Sequence, residues 1–421
     1  MPDFVIEIPP RRRRRVRHSR LSAALLRLPV EIMDEIATYL EDIKDDRERI
    51  VLGGRLALVS KELIPFGRRV TWSRTNILCS ERNLVFATEL AARPDLLANV
   101  RSLTFEQPDG QSASSDWVGH MIWIVQGCTS ALELLDCATG FCFYSGDDQS
   151  LALRSHHELL VLAGLPVAAT LKTLRLRVVF GPENYAIDIR DLVGALDQFI
   201  ELKALFIRST WTAPIPAHAP GGTIRARLDE IFIDDRGLSG QPSLFQLLSP
   251  CLDASQIKYL RVYIGRSSFG GPEQLGRFVN LVHAHLDAFR GMSFANALPQ
   301  WVAGLSHLGR VRHVSLGPTW LTASANLLGP STVPLDVLLA SLPPSVETYK
   351  VERIYFVNNL GLDFFSHREH VLGDRHRFKK TTMVHVRLDD PDLGRRRLKL
   401  CRLNKPDGTQ PWGIFCLVKK A

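Results

Sequence analysis

The sequence predicts an α/β protein: a small N-terminal helical unit, then an array in which strand and returning helix alternate, so that the strands form a curved parallel sheet with helices outside it. Three observations carry that expectation. An apolar helical stripe follows a Leu-Pro pair at residues 28–40, a short hydrophobic triplet recurs eight times from Val100 onward, and amphipathic stretches separate the triplets.

The helical unit comes first. Pro29 suits the first turn of a helix, because the N–H it lacks would find no partner there. Ile32, Ile36 and Leu40 then recur every four residues with Glu31, Asp34 and Glu35 between them, which predicts one apolar face. A charged spacer, Glu41 to Arg55, separates this helix from a second apolar set, Leu56, Val59 and Leu63, after which Pro65 and Gly67 break the pattern before Trp72. Leu28 to Trp72 is 45 residues, too short for a stable isolated core, so the unit is expected to dock on another domain or protein. The competing reading is a helical hairpin inside a larger domain.

These residues resemble an F-box. The resemblance rests on Leu28-Pro29, Ile32, Ile36 and Leu40, on the LALVSKEL run from Leu56 to Leu63, and on Val70 and Trp72, and it covers about a tenth of the chain. Its spacer is longer and more charged than is usual in that family. The resemblance implies that Leu28, Pro29, Ile32, Ile36, Leu40, Leu56, Val59, Leu63 and Trp72 form the face for a Skp-type adaptor of a cullin-RING ubiquitin ligase, or the small core behind that face.

The triplet, a hydrophobe, two residues, a hydrophobe, one residue and a hydrophobe, is next. It reads Val100-Leu103-Phe105, Leu132-Leu135-Cys137, Leu171-Leu174-Leu176, Leu202-Leu205-Ile207, Leu228-Ile231-Ile233, Ile257-Leu260-Val262, Val311-Val314-Leu316 and Val346-Tyr349-Val351. Starts are separated by 32, 39, 31, 26, 29, 54 and 35 residues, the length of one strand plus one helix in most cases. The last two hydrophobes lie two apart and so share one face of a strand. Leu192, Val193, Leu196, Phe199 and Ile200 predict one returning helix, and Leu275, Phe278, Val279, Val282, Leu286 and Phe289 another of four turns. The 54-residue gap is expected to hold two helices or one poorly matching repeat near Trp301.

This array resembles the irregular leucine-rich-repeat proteins that follow an F-box in many fungal chains. That family's Asn or Cys ladder is missing, its position being taken by residues such as Val179 and Thr210, so irregular curvature and uneven loops are expected. A parallel α/β domain of another topology is the alternative. The expected organisation is residues 1–20 as a disordered Arg-rich tail, 21–75 as the F-box, 76–365 as the repeat solenoid and 366–421 as a basic cap or extension. Strand-like alternation at Val384-Val386-Leu388 and Ile414-Cys416-Val418 suits a cap over an exposed end, or a substrate-docking surface.

At 45% hydrophobic and 23% charged residues, 421 residues suffice for two or more domains. No apolar run approaches the roughly eighteen residues that cross a bilayer, and no secretory signal is convincing. Seven scattered cysteines give no paired spacing, which fits a reducing compartment, the nucleus or cytoplasm. The formal charge of +8 is concentrated at the ends: seven Arg face two acids in residues 1–20, and fourteen Lys or Arg face six acids in residues 366–421. RRRRRVRHSR reads as a nuclear localisation signal, a contact for anionic partners or a solvated tail. Without a basic stripe interleaved with aromatics, nucleic-acid binding is not the expected role.

Catalytic motifs are missing: no nucleophile elbow, phosphate loop, dinucleotide fingerprint or HExxH pair occurs. The pairs His156-His157 and His283-x-His285 read as helical neighbours that point apart. His367 and His370, near Asp363 and His376, are the best metal candidates, outweighed by a reading as exposed polar residues. Cys137 and Cys142 read as small buried hydrophobes. No metal or cofactor is expected. The sequence therefore predicts a non-catalytic substrate receptor that binds a Skp-type adaptor and cullin through Leu28–Trp72 and an unknown protein target through the repeats. The rival is an interaction scaffold with no part in ubiquitin transfer.

Overall fold

The computed structural model describes residues 27–106, 116–128, 132–137, 152–153, 155–181, 187–211, 221–236, 241–264, 273–288, 301, 303–316, 319–321, 343, 345–346, 348–356, 383–390, 394–402 and 412–418. The Arg-rich segment, Cys142 and the His367–His376 cluster lie outside them. The chain divides into two compact units, Met1–Thr75 with Asn99–Arg101, and Asn76–Ala98 with Ser102–Ala421.

The first unit holds three helices: α1 (Val30–Glu41), α2 (Asp46–Val59) and α3 (Ile64–Trp72). Pro29 stands just before α1, and its carbonyl accepts from the amides of Ile32 and Met33 (3.1 and 3.2 Å). The buried stripe of α1 is Met33, Ala37 and Glu41, one residue round from the expected Ile32-Ile36-Leu40. Met33 and Ala37 are poor markers of a stripe in a sequence, being a flexible and a small residue, and a buried Glu is not a marker at all. Most of the expected spacer is helix. Asp45 starts α2 by accepting from the amides of Arg47 and Glu48 (2.9 and 3.2 Å), which is why a charged run does not stay a loop. Pro65 lies in the first turn of α3 and Gly67 inside it, so neither breaks the helix. Gly67 is needed there: a Cβ on it would lie 2.6 Å from the Ala57 amide nitrogen and the Gly53 carbonyl, and one on Gly53 would lie 2.9 Å from the Gly67 carbonyl. The α2 and α3 backbones touch where no side chain fits.

The second unit is an α/β assembly around a single sheet built from β1 (Arg74–Leu78), β2 (Ser102–Glu106), β3 (Leu134–Asp136), β4 (Thr173–Phe180), β5 (Ala204–Trp211), β6 (Glu230–Arg236), β7 (Tyr259–Ile264), β8 (His283–Ala288), β9 (His313–Leu316), β10 (Thr319–Leu321), β11 (Thr348–Phe356), β12 (Met383–Asp390), β13 (Gly394–Arg402) and β14 (Trp412–Val418), whose strands follow the chain in order except that β9 neighbours β11 and β10 stands off this path, paired with β11. Neighbours from β2 to β9 pair in parallel, β11 pairs in parallel with β9, β10 and β12, and β12–β13–β14 continues antiparallel. Helices return the chain between parallel strands, as the pairing demands: α4 (Leu84–Ala91), α5 (Pro94–Leu97), α6 (Asp116–Gly127), α7 (His156–Gly164), α8 (Ile189–Leu196), α9 (Leu244–Leu248) and α10 (Glu273–Gly276).

All eight triplets sit on parallel strands in register. The middle hydrophobes align as Leu103, Leu135, Leu174, Leu205, Ile231, Leu260, then Ala284, Val314 and Tyr349. From Val100 to Val346 the first hydrophobe of every triplet is buried. Each strand is also hung on the one before by its first turn. The Lys172 carbonyl accepts from both Lys203 and Ala204 amides, and the carbonyls of Lys203, Asp229, Lys258 and Val282 repeat this for the next strands, at 2.8 to 3.0 Å.

Two expectations are corrected. The stretch from Leu275 to Phe289 is not a four-turn helix: α10 is one turn, and His283–Ala288 is strand β8. Its triplet is Leu281-Ala284-Leu286, all buried, and Ala284 hid it from a search for large hydrophobes. This strand divides the 54-residue gap. Helix α8 also ends at Leu196, so that Phe199 is buried in the following turn while Ile200 is exposed. Toward the C-terminus, Gly394–Arg402, between the two stretches of strand-like alternation, forms strand β13.

Candidate functional site

In the first unit, the nine residues expected to form an adaptor face separate into three groups. Leu56 and Leu63 are buried with Met33 in the core, and Ile36, Leu40 and Val59 pack half-buried against them. Trp72 is half-buried. Leu28, Pro29 and Ile32 are exposed, Leu28 and Ile32 at 37% and 39%. Exposed with them, and missed in the sequence, are Val30 (63%) and Tyr39 (75%) on α1 and Ile50, Val51 and Leu58 on α2, Leu58 at 85%. The signal was there in the apolar residues left over once Met33 and Ala37 are assigned to the buried stripe.

Polar staples hold this small unit. Arg49, 1% exposed, donates through Nη1 to the carbonyls of Val70 (2.7 Å) and Thr71 (3.0 Å) and through Nη2 to that of Arg74 (2.9 Å) and to Asp46 (2.9 Å). A guanidinium thus caps the C-terminal end of α3, where orphan carbonyls and the negative helix pole both favour a cation. Arg69 on α3 reaches α1 at Glu41, Asp34 (2.9 Å) and Thr38 (2.8 Å), and Arg101 adds a second bond to Glu41 (3.2 Å). The charged residues of the expected spacer and of α3 are the framework that presents the exposed apolar side chains.

In the second unit, the positions between the triplet hydrophobes make the other candidate. Ile231, Ile233 and Asp235 point to the helix side, where Asp235 accepts from the α9 amide of Leu244 (2.7 Å), from Ser209 (2.8 Å) and from Trp211 (2.8 Å). Alternation therefore puts Glu230, Phe232 and Asp234 on the opposite face. Across the strands that face carries linked rows. Asp136 pairs with Arg175 (3.2 Å), whose guanidinium lies 5.9 Å from the Phe206 ring centroid; Phe206 meets Phe232 edge to face at 4.2 Å, and Arg261 covers Phe232 at 4.8 Å. Two residues earlier, and so on the same face, Tyr259, His283 and His313 stack at 4.5 and 4.2 Å. One pair of positions further on, buried Arg208 and Asp234 join at 2.6 Å. Large aromatic and guanidinium groups held in fixed rows on a half-exposed sheet face are the side chains that dominate protein interfaces.

Among the described residues, the histidines and cysteines singled out in the sequence are packed or paired, except His157, which is exposed. His283 and His285 lie on one strand face rather than apart on a helix, and burial, then neighbouring His313, lowers the His283 pKa. His156 instead pairs with Asp191 at 3.0 Å. Burial raises the thiols of Cys79 and Cys128 to about 12 and that of Cys137 well above its usual value, so they behave as apolar groups. Among the described residues no three His, Cys, Asp or Glu side chains could hold a metal ion, and no helix is long and apolar enough to cross a membrane. Compared with known proteins, the chain matches no family model and no curated sequence.

Proposed function

We propose that this chain is a non-catalytic substrate receptor. Its F-box-like helices bind a Skp-type adaptor and through it a cullin, and its leucine-rich-repeat-like sheet presents the Arg175-Phe206-Phe232-Arg261 face to a protein target. The observation that carries the reading is the pattern in the first unit. Three short helices keep Met33, Leu56 and Leu63 as a minimal core while Leu28, Val30, Ile32, Tyr39 and Leu58 stay exposed. Exposed apolar groups on so small a unit are stabilised by a partner that covers them. The receptor contributes proximity: holding a target beside a loaded transfer enzyme raises the effective concentration of its lysines. Work in the nucleus or the cytoplasm, without metal or cofactor, follows from this role.

The test is a pull-down of the full chain probed for a Skp-type adaptor and cullin. An Ile32→Asp, Leu58→Asp variant leaves the core intact, unlike a change at Ile36, which packs on it. Both partners with the unaltered chain and neither with the variant is the expected result. No adaptor on the unaltered chain overturns the reading, and adaptor without stabilisation of any target on proteasome blockade selects the scaffold role.

A further inference from the structure

Opposite its buried stripe of Met33, Ala37 and Glu41, α1 carries a face of mixed chemistry. At about 100° per residue, Glu31, Ile32, Glu35, Tyr39 and the following Asp42 fall within one arc of about 100°. All five are exposed. The carboxylates of this arc are unanswered. Asp34 and Glu41, to one side of it, are held by Arg69, whereas among the described residues no cation or hydrogen-bond donor meets the side chains of Glu31, Glu35 or Asp42. Two apolar groups set among three free carboxylates are complemented by a partner that brings apolar and cationic groups together.

The chain itself supplies one. Phe4, Val5, Ile6 and Ile8 stand within five residues, Pro9-Pro10 follow, and Arg11 to Arg15 with Arg17 come next. Solvation alone would account for the arginines but not for the apolar run ahead of them. From Arg17 to Val30 the chain can stretch to about 40 Å, while α1, twelve residues long, measures about 18 Å, so every point of the face is within reach. We propose that residues 4–17 dock on this face of α1, the arginines on Glu31, Glu35 and Asp42 and the Phe4–Ile8 run on Ile32 and Tyr39, and so compete with any other partner for it. Each exposed ion pair is weak, but six arginines act together at the effective concentration of a short tether, in the millimolar range. High salt releases the contact. That the displaced partner is the adaptor rests on the function proposed above; the docking itself does not.

The first readout is the rate at which trypsin cuts the full chain between Arg11 and Arg20, followed by mass spectrometry. An E31Q/E35Q/D42N variant should be cut about threefold or more faster than the unaltered chain at low ionic strength, and the difference should close in high salt. E89Q, which removes an exposed acid on α4, should be cut as the unaltered chain is. The second readout is affinity for a Skp-type adaptor. With R11Q, R12Q, R13Q, R14Q, R15Q and R17Q combined, it should tighten about threefold to tenfold, the gain expected when a face covered most of the time is freed. Circular dichroism checks each fold, and Tyr39→Ser, which should also speed cutting, serves if the triple variant does not fold. The docking is overturned if E31Q/E35Q/D42N (or Tyr39→Ser in its place) is cut no faster, if E89Q speeds cutting to the same extent, or if protection grows with protein concentration, which would put one copy's segment on another's helix. Faster cutting of the acid variant with no adaptor bound by any chain sustains the docking and overturns only the function proposed for the face; adaptor binding that does not tighten overturns the competition.

Discussion

The two units reach stability by opposite means. In the second, a column of apolar side chains from Leu103 to Val314 repeats strand after strand in strict register, and most polar groups stay at the turns and on one face, the buried Asp235 and Ser209 on the helix side being exceptions. In the first, three core side chains suffice because Arg49 and Arg69 tie helix ends and faces together and two glycines let α2 and α3 backbones touch. The contrast teaches that a repeat can spend its apolar residues inward, whereas a unit of three helices must keep polar ties and leaves apolar groups outside.

Substitutions sharpen that contrast. Leu174→Ala, at the centre of the column with neighbours on both sides, should cost about 3 to 4 kcal/mol and lower the denaturation midpoint of the sheet. Gly67→Ala should cost about 2 kcal/mol, because its Cβ meets backbone atoms that cannot rotate away. Faster hydrogen exchange confined to residues 46–72 would locate that loss in the first unit; exchange spread over the strands would contradict it. Alkaline pH probes the second unit more gently. With the Cys79 and Cys128 thiols raised to about 12, the folded chain keeps protons that the unfolded chain releases above about 9. Their contribution is complete below pH 9 and is lost as pH rises toward 12, so urea stability should fall from pH 8 to pH 10 and fall less in a Cys79→Ala, Cys128→Ala variant. Smallest of all, Lys172→Ala should change stability by under about 0.5 kcal/mol, since its pair with Glu133 is exposed to solvent. A larger loss would mean that such side-chain pairs, and not only the backbone bonds, hold neighbouring repeats together.

Much of the sheet was legible in the sequence because one spacing serves every strand. Where the triplet kept large hydrophobes it marked a strand; where Ala284 replaced one, a helical periodicity from Leu275 to Phe289 fitted equally well and was preferred. A parallel pairing resolved that ambiguity, and pairing is not local information. The helical unit was legible as short helices, but the third was hidden behind Pro65 and Gly67, and the buried stripe of the first lay one residue round, since Met33, Ala37 and Glu41 look less apolar than Ile32, Ile36 and Leu40. The Arg175-Phe206-Phe232-Arg261 row could not be read at all. Its members lie 31, 26 and 29 residues apart, and only the register brings them side by side.

The paired amides that hang each strand on the preceding carbonyl have an evolutionary reading. They fix the path of the chain on one side of every repeat to the level of single residues, from Lys172 through Val282, while the segment that returns it varies in length from repeat to repeat. Insertions are then tolerated where strands finish and rejected where they begin. New sequence can enter such an array, and new recognition with it, through one rim only.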